Sequence, residues 1–365
     1  MKYYLIAGER SGDLHGSNLI SKLKDKDKDA QFRGYGGGEM GSAGMTVVQH
    51  YDQMAFMGFL EVLSNLTTIK RLLKQCKNDI LDYRPDVVIL IDYGGFNMKI
   101  ARFCKRNRVR TFYYISPKVW AWNTRRARKL KATVDRMFVI LPFEVEFYQK
   151  FNWRVDYVGN PVLDAVKGYD TNQVEDGEYV SLLPGSRPQE LSHSLPILKK
   201  VVERLENVQF LLATVDSVDV KLYSVVQGLA NLRLIKGNTY DILANARAAV
   251  VTSGTATLET ALLKVPQVVT YATSTISYWI AKSLIKVDYI SLVNLIVGKP
   301  VVKELIQNQF TADNVIAELK ELMSNCDYRQ DILRRYDELY STLDIGSASE
   351  NAAKLMIQYL RESKT

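Results

Sequence analysis

The chain has 365 residues, more than one hydrophobic core usually serves, so its length predicts two domains. Apolar residues make up 47% and charged ones 24%, the balance of a folded globular protein rather than a disordered or fibrous one. No stretch approaches the roughly 18 uncharged apolar residues that a membrane-spanning helix needs, and Met1 to Glu9 has too short an apolar run for a signal peptide. The formal net charge of +8 points to an anionic partner without choosing among nucleic acid, phosphorylated substrate and acidic lipid. Cys76, Cys104 and Cys326 stand far apart with no C-x-x-C spacing, so neither a disulfide framework nor a zinc site is supported, and a reducing compartment fits.

In chain order, Tyr3–Ala7 reads as a strand, followed by a loop and a helix to about Lys24. The same unit recurs at Asp86–Ile91 with a helix through Phe103, then at Arg110–Ile115, Arg136–Leu141 and Arg154–Val158. Apolar strands alternating with helical stretches of about ten to fifteen residues predict a parallel sheet covered on both faces. Lys167 to Glu178 is polar and nearly free of apolar residues, and reads as a linker. Strands resume at Tyr179–Leu183, Val208–Ala213, Leu232–Ile235, Ala248–Thr252 and Gln267–Tyr271, and from Ala312 onward the pattern is helical. The predicted class is therefore α/β, with two tandem Rossmann-like doubly wound parallel sheets facing a cleft. The domains are drawn at 1–166 and 179–340, with the linker at 167–178 and a C-terminal helix at 341–365 that could pack back on the first domain.

Open parallel sheets bind ligands at the carboxyl ends of their strands, so the loops after strands carry the candidates. In the first domain these are Gly8-Glu9-Arg10-Ser11-Gly12-Asp13, Asp92-Tyr93-Gly94-Gly95-Phe96-Asn97, Ser116-Pro117-Lys118-Val119-Trp120-Ala121-Trp122 and Pro142-Phe143-Glu144. In the second they are Pro184-Gly185-Ser186-Arg187 and the turn at Ser253. The latter is the most informative: Val250-Val251-Thr252 ends in Ser253-Gly254-Thr255-Ala256, and a helix begins with Leu258, Leu262 and Leu263 on one face. Ser253 or Thr255 can cap that helix, and Gly254 leaves room for a ligand against its first amides, where the helix dipole favours a phosphate. Glu259, one turn on, could accept hydrogen bonds from a sugar hydroxyl, so the pair suggests a nucleotide diphosphate.

Together with Met57-Gly58-Phe59-Leu60-Glu61-Val62 and with Ser291-Leu292 and Asn294-Leu295, these loops run in order from residue 8 to about residue 306. In that order, and above all in Trp120-Ala121-Trp122 and the Met57 to Val62 signature, the chain resembles the lipid-A-disaccharide synthases, bacterial inverting glycosyltransferases of the GT-B architecture. It departs from the usual family pattern at Gly94-Gly95, where a proline is common, at Val293, where proline often precedes the asparagine, and at Lys118 and Asn160, which replace small or histidine residues.

The resemblance implies that UDP-2,3-diacylglucosamine donates its sugar to the 6-hydroxyl of 2,3-diacylglucosamine 1-phosphate, without a cofactor or metal. It also implies a cytoplasmic protein held peripherally at the inner membrane of a Gram-negative bacterium, and it leaves room for a homodimer. A single inverting displacement requires a base at the attacking hydroxyl and charge stabilisation at the departing diphosphate. Asp92 at a strand end is the candidate base, or else the cap of the following helix; Glu9 is the second candidate. Arg187 is placed to meet the diphosphate, Ser253, Gly254, Thr255 and Ala256 to hold it, and Glu259 to bind the ribose. Ser11, Gly12, Asp13 and Asn97 in the first domain, and Gly185, Ser186 and Asn294 in the second, complete the substrate-binding set that the resemblance implies.

Met54 to Lys77 carries Phe56, Met57, Phe59, Leu60, Val62, Leu63, Leu66, Ile69, Leu72 and Leu73, followed by Lys70, Arg71, Lys74 and Lys77. Either this stretch contacts an anionic membrane surface or it forms a helix pair packed on the first sheet. The basic runs Arg102 to Arg110 and Arg125 to Lys131 would suit nucleic acid, but they lie within βα units and read as a solvated face, so no nucleic-acid partner is expected. Gly36-x-Gly38-x-x-Gly41 offers a dinucleotide motif in incomplete context, since it follows the second apparent strand. His15, His50 and His193 are isolated, and Asp25-x-Asp27 sits in a lysine-rich turn, so no metal site is read. A UDP-sugar epimerase of the same two-domain plan is the nearest enzyme alternative.

Overall fold

A computed structural model describes residues 1–54, 66–122, 124–170, 178–216, 218–237, 239–274 and 287–362. The Met57 to Val62 signature and most of the predicted linker, at 171–177, lie outside the described residues. The chain divides into two compact units: Met1–Pro161 together with Ile345–Thr365, and Val162–Asp344.

The first unit runs β1 (Lys2–Ala7), α1 (Arg10–Lys26), β2 (Gln31–Gly36), α2 (Gly38–Ser42), β3 (Met45–His50), α3 (Leu66–Tyr83), β4 (Val87–Ile91) and α4 (Gly94–Arg106). It continues with β5 (Thr111–Tyr114), α5 (Val119–Trp122), α6 (Arg125–Lys131), β6 (Arg136–Val139), α7 (Phe143–Gln149) and β7 (Asp156–Tyr157). Among the described residues its parallel strands are ordered β3-β2-β1-β4-β5-β6-β7. Side chains alternate between faces along a strand, and both faces are covered: Tyr4, Ile6, Val88 and Leu90 join one core, Tyr3, Leu5, Ile89 and Ile91 the other. That two-sided burial is why β1 and β4 read as continuous apolar runs.

The second core is closed by α1 through Leu19, Ile20 and Leu23, and by the last helix of the chain, Ala348–Glu362, through Ala352, Ala353 and Met356. Gly34 in β2 has φ +151°, and a Cβ there would stand 2.0 Å from the Leu5 carbonyl oxygen, so only glycine lets the two backbones approach. The glycines at 34 and 36 lower the strand signal of Gln31–Gly36 in the sequence.

The second unit takes in most of α8 (Pro161–Lys167), then β8 (Tyr179–Leu183), α9 (Pro188–Arg204), β9 (Gln209–Thr214), β10 (Leu232–Lys236), α10 (Thr239–Ala244), β11 (Ala248–Thr252) and α11 (Thr255–Leu262). After β12 (Gln267–Tyr271) come α12 (Leu292–Val297), β13 (Lys303–Ile306), α13 (Ala312–Ser324) and α14 (Cys326–Leu343); the terminal helix Ala348–Glu362 is α15. Its parallel strand order is β10-β9-β8-β11-β12-β13. β13 is an edge strand opening on Lys303-Glu304, and it carries little apolar signal in the sequence. In both sheets the order reverses beside the first strand, between β1 and β4 and between β8 and β11. Among the described residues no helix is long and apolar enough to cross a membrane.

Candidate active site

In the first unit, Ala7 of β1 lies opposite Ile91 of β4, so the turns leaving the two strands emerge side by side at the point of reversal. Gly8 begins the first turn. A Cβ on it would fall 2.3 Å from the Tyr93 ring, so glycine is what lets Tyr93 lie across. Glu9 then N-caps α1 through its extended backbone, and its side chain makes no capping bond. Across from it, Asp92 and Tyr93 both adopt left-handed backbone, with φ +42° and +46°. For non-glycine residues that conformation costs on the order of 1–2 kcal/mol each, and it persists only where surroundings enforce it.

Here they do. The Asp92 carbonyl oxygen accepts from the Tyr113 hydroxyl at 2.6 Å and from Asn97 Nδ2 at 2.9 Å, and the Tyr93 hydroxyl donates to the Met54 carbonyl oxygen at 2.5 Å. The N-cap position of α4 is Tyr93, so the capping position offered for Asp92 falls to its neighbour, and the Asp92 carboxylate takes a hydrogen bond from the Tyr93 backbone. Burial, and secondarily the Glu9 charge, push the Asp92 carboxyl up to about 6; Lys118 and a backbone hydrogen bond at Tyr93 pull the other way. A carboxylate that titrates just below neutral is suited to taking a proton from an alcohol.

Of the other candidates in this unit, Asp13 and Asn97 bond to backbone of their own unit. Asp13 is buried, and its carboxylate accepts from the amides of Gly37 at 2.6 Å, Glu39 at 3.0 Å and Met40 at 3.2 Å. It therefore occupies the start of α2, where a dinucleotide phosphate would have to sit if Gly36-x-Gly38-x-x-Gly41 were a cofactor loop. Gly12 packs against β1, 3.3 Å from the Ala7 side chain if given a Cβ, while Ser11 stays exposed in the first turn of α1. Asn97 is fully buried and its amide also reaches the Ile91 carbonyl oxygen at 3.1 Å, fixing the turn rather than projecting from it.

Next along the sheet edge, Ile115 leaves β5 with φ +64°, and Ser116 Oγ lies 2.5 Å from the Tyr148 hydroxyl. Beneath them Glu144 is buried, accepts from the Leu141 amide at 3.1 Å, and is pushed up to about 7 by burial against hydrogen bonds that favour its charge. The pairing of Ser116 with Tyr148 joins residues 32 apart, a contact no local pattern reveals.

In the second unit, Leu183 of β8 lies opposite Val251 of β11, so the Gly185 and Ser253 turns also leave side by side. Gly185 has φ +113°, and Glu190 reaches back over it to accept from the amides of Ser186 at 2.9 Å and Arg187 at 3.3 Å. Arg187 is largely exposed, with its Nη1 3.4 Å from Glu190 Oε1, a solvated contact too weak to hold the guanidinium against an incoming anion.

At the second turn, neither Ser253 nor Thr255 caps α11, contrary to the reading of the sequence. Gly254 is the N-cap. The Ser253 hydroxyl donates instead to the Ile290 carbonyl oxygen at 2.8 Å, tying the turn to the segment before α12. Thr255 and Gly254 are exposed and Ala256 is half-buried, so the start of α11 borders open space, and the Thr257 amide turns back to the Gly254 carbonyl oxygen at 3.3 Å. Glu259 is half-buried, accepts from the Tyr240 hydroxyl at 3.2 Å, and is raised by burial, with the Tyr240 bond partly offsetting this. Tyr240 is the residue the sequence hid: it follows β10, 19 positions before its partner.

Asn294 does not project into this space. Its Nδ2 donates to the Val302 carbonyl oxygen and to Glu304, and its Oδ1 accepts from the amides of Val301 and Val302, all within 2.8–3.0 Å. Glu304 also accepts from the Ile290 and Ser291 amides, so the pair ties together the segment against which Ser253 rests.

The predicted membrane stretch divides. Residues 55–65 lie outside the described residues; beyond them, α3 buries Leu72 and Leu73 in the first unit's core, with Ile69 packed against it, and exposes Lys70, Arg71 and Lys74. Exposed lysines and arginines continue along α4 and α6: one groove of about 310 Å³ is lined by Lys77, Lys99, Arg102 and Arg106, and a second shares Arg102 with Lys129.

Comparison with known proteins gives the family. A family model described as lipid-A-disaccharide synthetase matches residues 3–357. A lipid-A-disaccharide synthase of Syntrophus aciditrophicus is 40% identical over 374 residues, covering 98% of each chain. One of Coxiella burnetii is 36% identical over 365 residues, covering 96% of each. Among solved structures, a UDP-GlcNAc 2-epimerase from Neisseria meningitidis bound to UDP-GlcNAc gives a TM-score of 0.67 at 13% identity, over 99% of this chain and 100% of that one. A calicheamicin glycosyltransferase gives 0.63 at 14%, over 98% and 97%. At such identities these two likenesses show the GT-B-like fold alone, whereas the full-length relatives decide the chemistry: the chain belongs to the lipid-A-disaccharide synthase family, glycosyltransferases of lipid A biosynthesis.

Proposed function

We propose that the chain transfers the sugar of UDP-2,3-diacylglucosamine to the 6-hydroxyl of 2,3-diacylglucosamine 1-phosphate in one inverting displacement. The observation that carries the assignment of roles is the enforced left-handed turn at Asp92, whose half-buried carboxyl stands beside Glu9 where the first sheet reverses. Asp92 takes the proton of the acceptor hydroxyl as the oxygen forms its bond to the anomeric carbon. The bond from that carbon to the diphosphate breaks with its electron pair going to UDP. Glu9, beside Asp92, raises its basicity and accepts hydrogen bonds from the acceptor, with the Ser11 and Gly12 backbone alongside.

Donor binding belongs to the second unit. The Ser253 to Ala256 turn at the start of α11 receives the diphosphate, Arg187 neutralises the charge that builds on it, and Gly185 and Ser186 hold that arginine in register. Glu259, steadied by Tyr240, accepts the ribose hydroxyls. Asp13, Asn97 and Asn294 act indirectly by fixing the turns that carry these groups.

The acyl chains of both substrates require the protein to work at a lipid surface. The exposed cations of α3, α4 and α6 form a face suited to anionic headgroups, each worth about 1 kcal/mol near such a surface, and peripheral attachment follows from that face. The test is turnover: purified protein given labelled acceptor and UDP-diacylglucosamine forms the disaccharide phosphate and UDP, and forms none from UDP-N-acetylglucosamine. Equal use of both donors, or epimerisation of the second, refutes the assignment.

A further inference from the structure

Glu259 is steadied from outside its own helix. Its Oε1 accepts from the Tyr240 hydroxyl at 3.2 Å, and Tyr240 stands in the first turn of α10. That helix is only six residues long and follows Gly237, whose φ is +145°. Ile242 and Leu243 bury it in the core, while the Tyr240 ring is half-buried. A tyrosine hydroxyl lies at the far end of its side chain, so a modest rotation about χ1 carries it out of hydrogen-bond range unless the ring is held.

Tyr169 holds it. The two rings meet edge to face, with centroids 5.2 Å apart and planes at 86°, and the Tyr169 hydroxyl donates to Asp241 Oδ2 at 3.0 Å. One side chain thus touches two successive residues in the first turn of α10. Tyr169 is itself fixed from behind: it follows α8, its amide donating to the Val166 carbonyl oxygen at 3.3 Å. Val162 and Leu163 of α8 are buried in the second unit's core. Lys167 ties the end of α8 to α14, its Nζ 2.6 Å from Asp344 Oδ1 and 5.4 Å from the centre of the Tyr340 ring. A continuous run of contacts inside the second unit therefore leads from α14 through α8, Tyr169 and Tyr240 to Glu259.

We propose that Tyr169 is a positioning residue for the donor's ribose: its ring holds the Tyr240 hydroxyl on one oxygen of Glu259, so that the carboxylate turns its other oxygen to the ribose hydroxyls and selects ribonucleotide over deoxynucleotide. The inference deepens the reading of Glu259 as the ribose acid and rests on it. A carboxylate already fixed through one oxygen has less freedom to lose when it accepts a hydroxyl, and a site built to bond a hydroxyl discriminates against the analogue that lacks it.

Calorimetry with UDP and with its 2′,3′-dideoxy analogue, which lacks both ribose hydroxyls, tests this; the readout is the ratio of the two Kd values. Tyr169→Leu is expected to weaken UDP by about two- to tenfold, the worth of one edge-to-face ring pair, and to leave the dideoxy analogue unchanged. Tyr169→Phe, which keeps the ring against Tyr240, restores most of the ratio. Tyr169→Leu made in Tyr240→Phe lowers the ratio no further, since the effect passes through that hydroxyl. Equal weakening of both ligands by Tyr169→Leu, which is what loss of a merely structural contact produces, overturns the proposal, as does an unchanged ratio or a further loss in the double variant. A ratio that survives Glu259→Gln instead removes Glu259 from the ribose, and the failure then lies in the proposed function.

Discussion

Replacing Asp92 by asparagine should make the protein more stable while it destroys turnover, and the size of the gain follows from the buried turn. The carboxyl is raised from 3.8 to about 6. At about 1.36 kcal/mol per pH unit this amounts to roughly 3 kcal/mol at most, an upper figure because the residue is only partly shielded from water. Below pH 3.8 the folded and unfolded chains both hold the proton, and the group has no effect on stability. Between 3.8 and about 6 the unfolded chain releases a proton that the folded one keeps, so stability falls as pH rises. Above about 6 the full penalty applies.

Asparagine cannot ionise, tolerates left-handed backbone better than other non-glycine residues, and leaves the carbonyl bonds to Tyr113 and Asn97 in place. The expected outcome for Asp92→Asn is a gain of about 1–3 kcal/mol at pH 7.5 that disappears by pH 4, with turnover lower by about 10²–10⁴-fold. Urea unfolding followed by tryptophan fluorescence reads mainly the first unit, which holds Trp120, Trp122 and Trp153, three of the chain's four tryptophans. Equal stability of the two proteins at pH 7.5, or the same gain at pH 4, refutes the account of the half-buried carboxylate in a left-handed turn. Retained turnover refutes its role as base.

Three further outcomes can be checked in the same preparation. Arg187→Ala should lower kcat by about 10²–10³-fold with Arg187→Lys recovering part of it, since the loss is of charge stabilisation in the transition state; small and equal losses in steady-state assays would remove the role. Glu259→Gln should raise the Kd for UDP in calorimetry while leaving acceptor binding unchanged, and Tyr240→Phe should raise it by about two- to tenfold through loss of one hydrogen bond. Reversing charge at Lys74, Lys99 and Arg102 together should weaken flotation with anionic liposomes at low salt while sparing turnover of detergent-dispersed substrates; unchanged flotation would place the lipid contact elsewhere.

Much of the fold was legible because parallel strands buried on both faces leave a continuous apolar trace. Tyr179–Leu183, Ala248–Thr252 and Gln267–Tyr271 are strands with the bounds that their apolar runs suggest. Where the trace fails, a local requirement overrides it: Gly34 and Gly36 thin the signal of β2, and the charged edge strand Lys303–Ile306 has only Leu305 buried.

The candidate loops were legible for the same reason, since they follow strand ends. What each polar side chain does within a loop was not. Asp13 and Asn294 look alike in sequence to ligand-binding residues, yet their hydrogen bonds go to amides and carbonyls of their own unit. The hydrogen-bond partners of two candidates, Tyr113 for Asp92 and Tyr240 for Glu259, are 21 and 19 residues away, beyond any helical or strand periodicity. The cap of α11 was misplaced because serine and threonine are the usual caps, whereas here Ser253 is drawn off to Ile290 and Gly254 serves with extended backbone.

The central claim is that the second unit grips the leaving diphosphate at the start of α11. A crystal grown with UDP should show both phosphates against the Ser253 to Ala256 turn, the ribose hydroxyls within about 3 Å of the Glu259 carboxylate, and Arg187 turned from Glu190 onto the phosphates. UDP bound away from that helix, with Glu259 still bonded only to Tyr240, would contradict it.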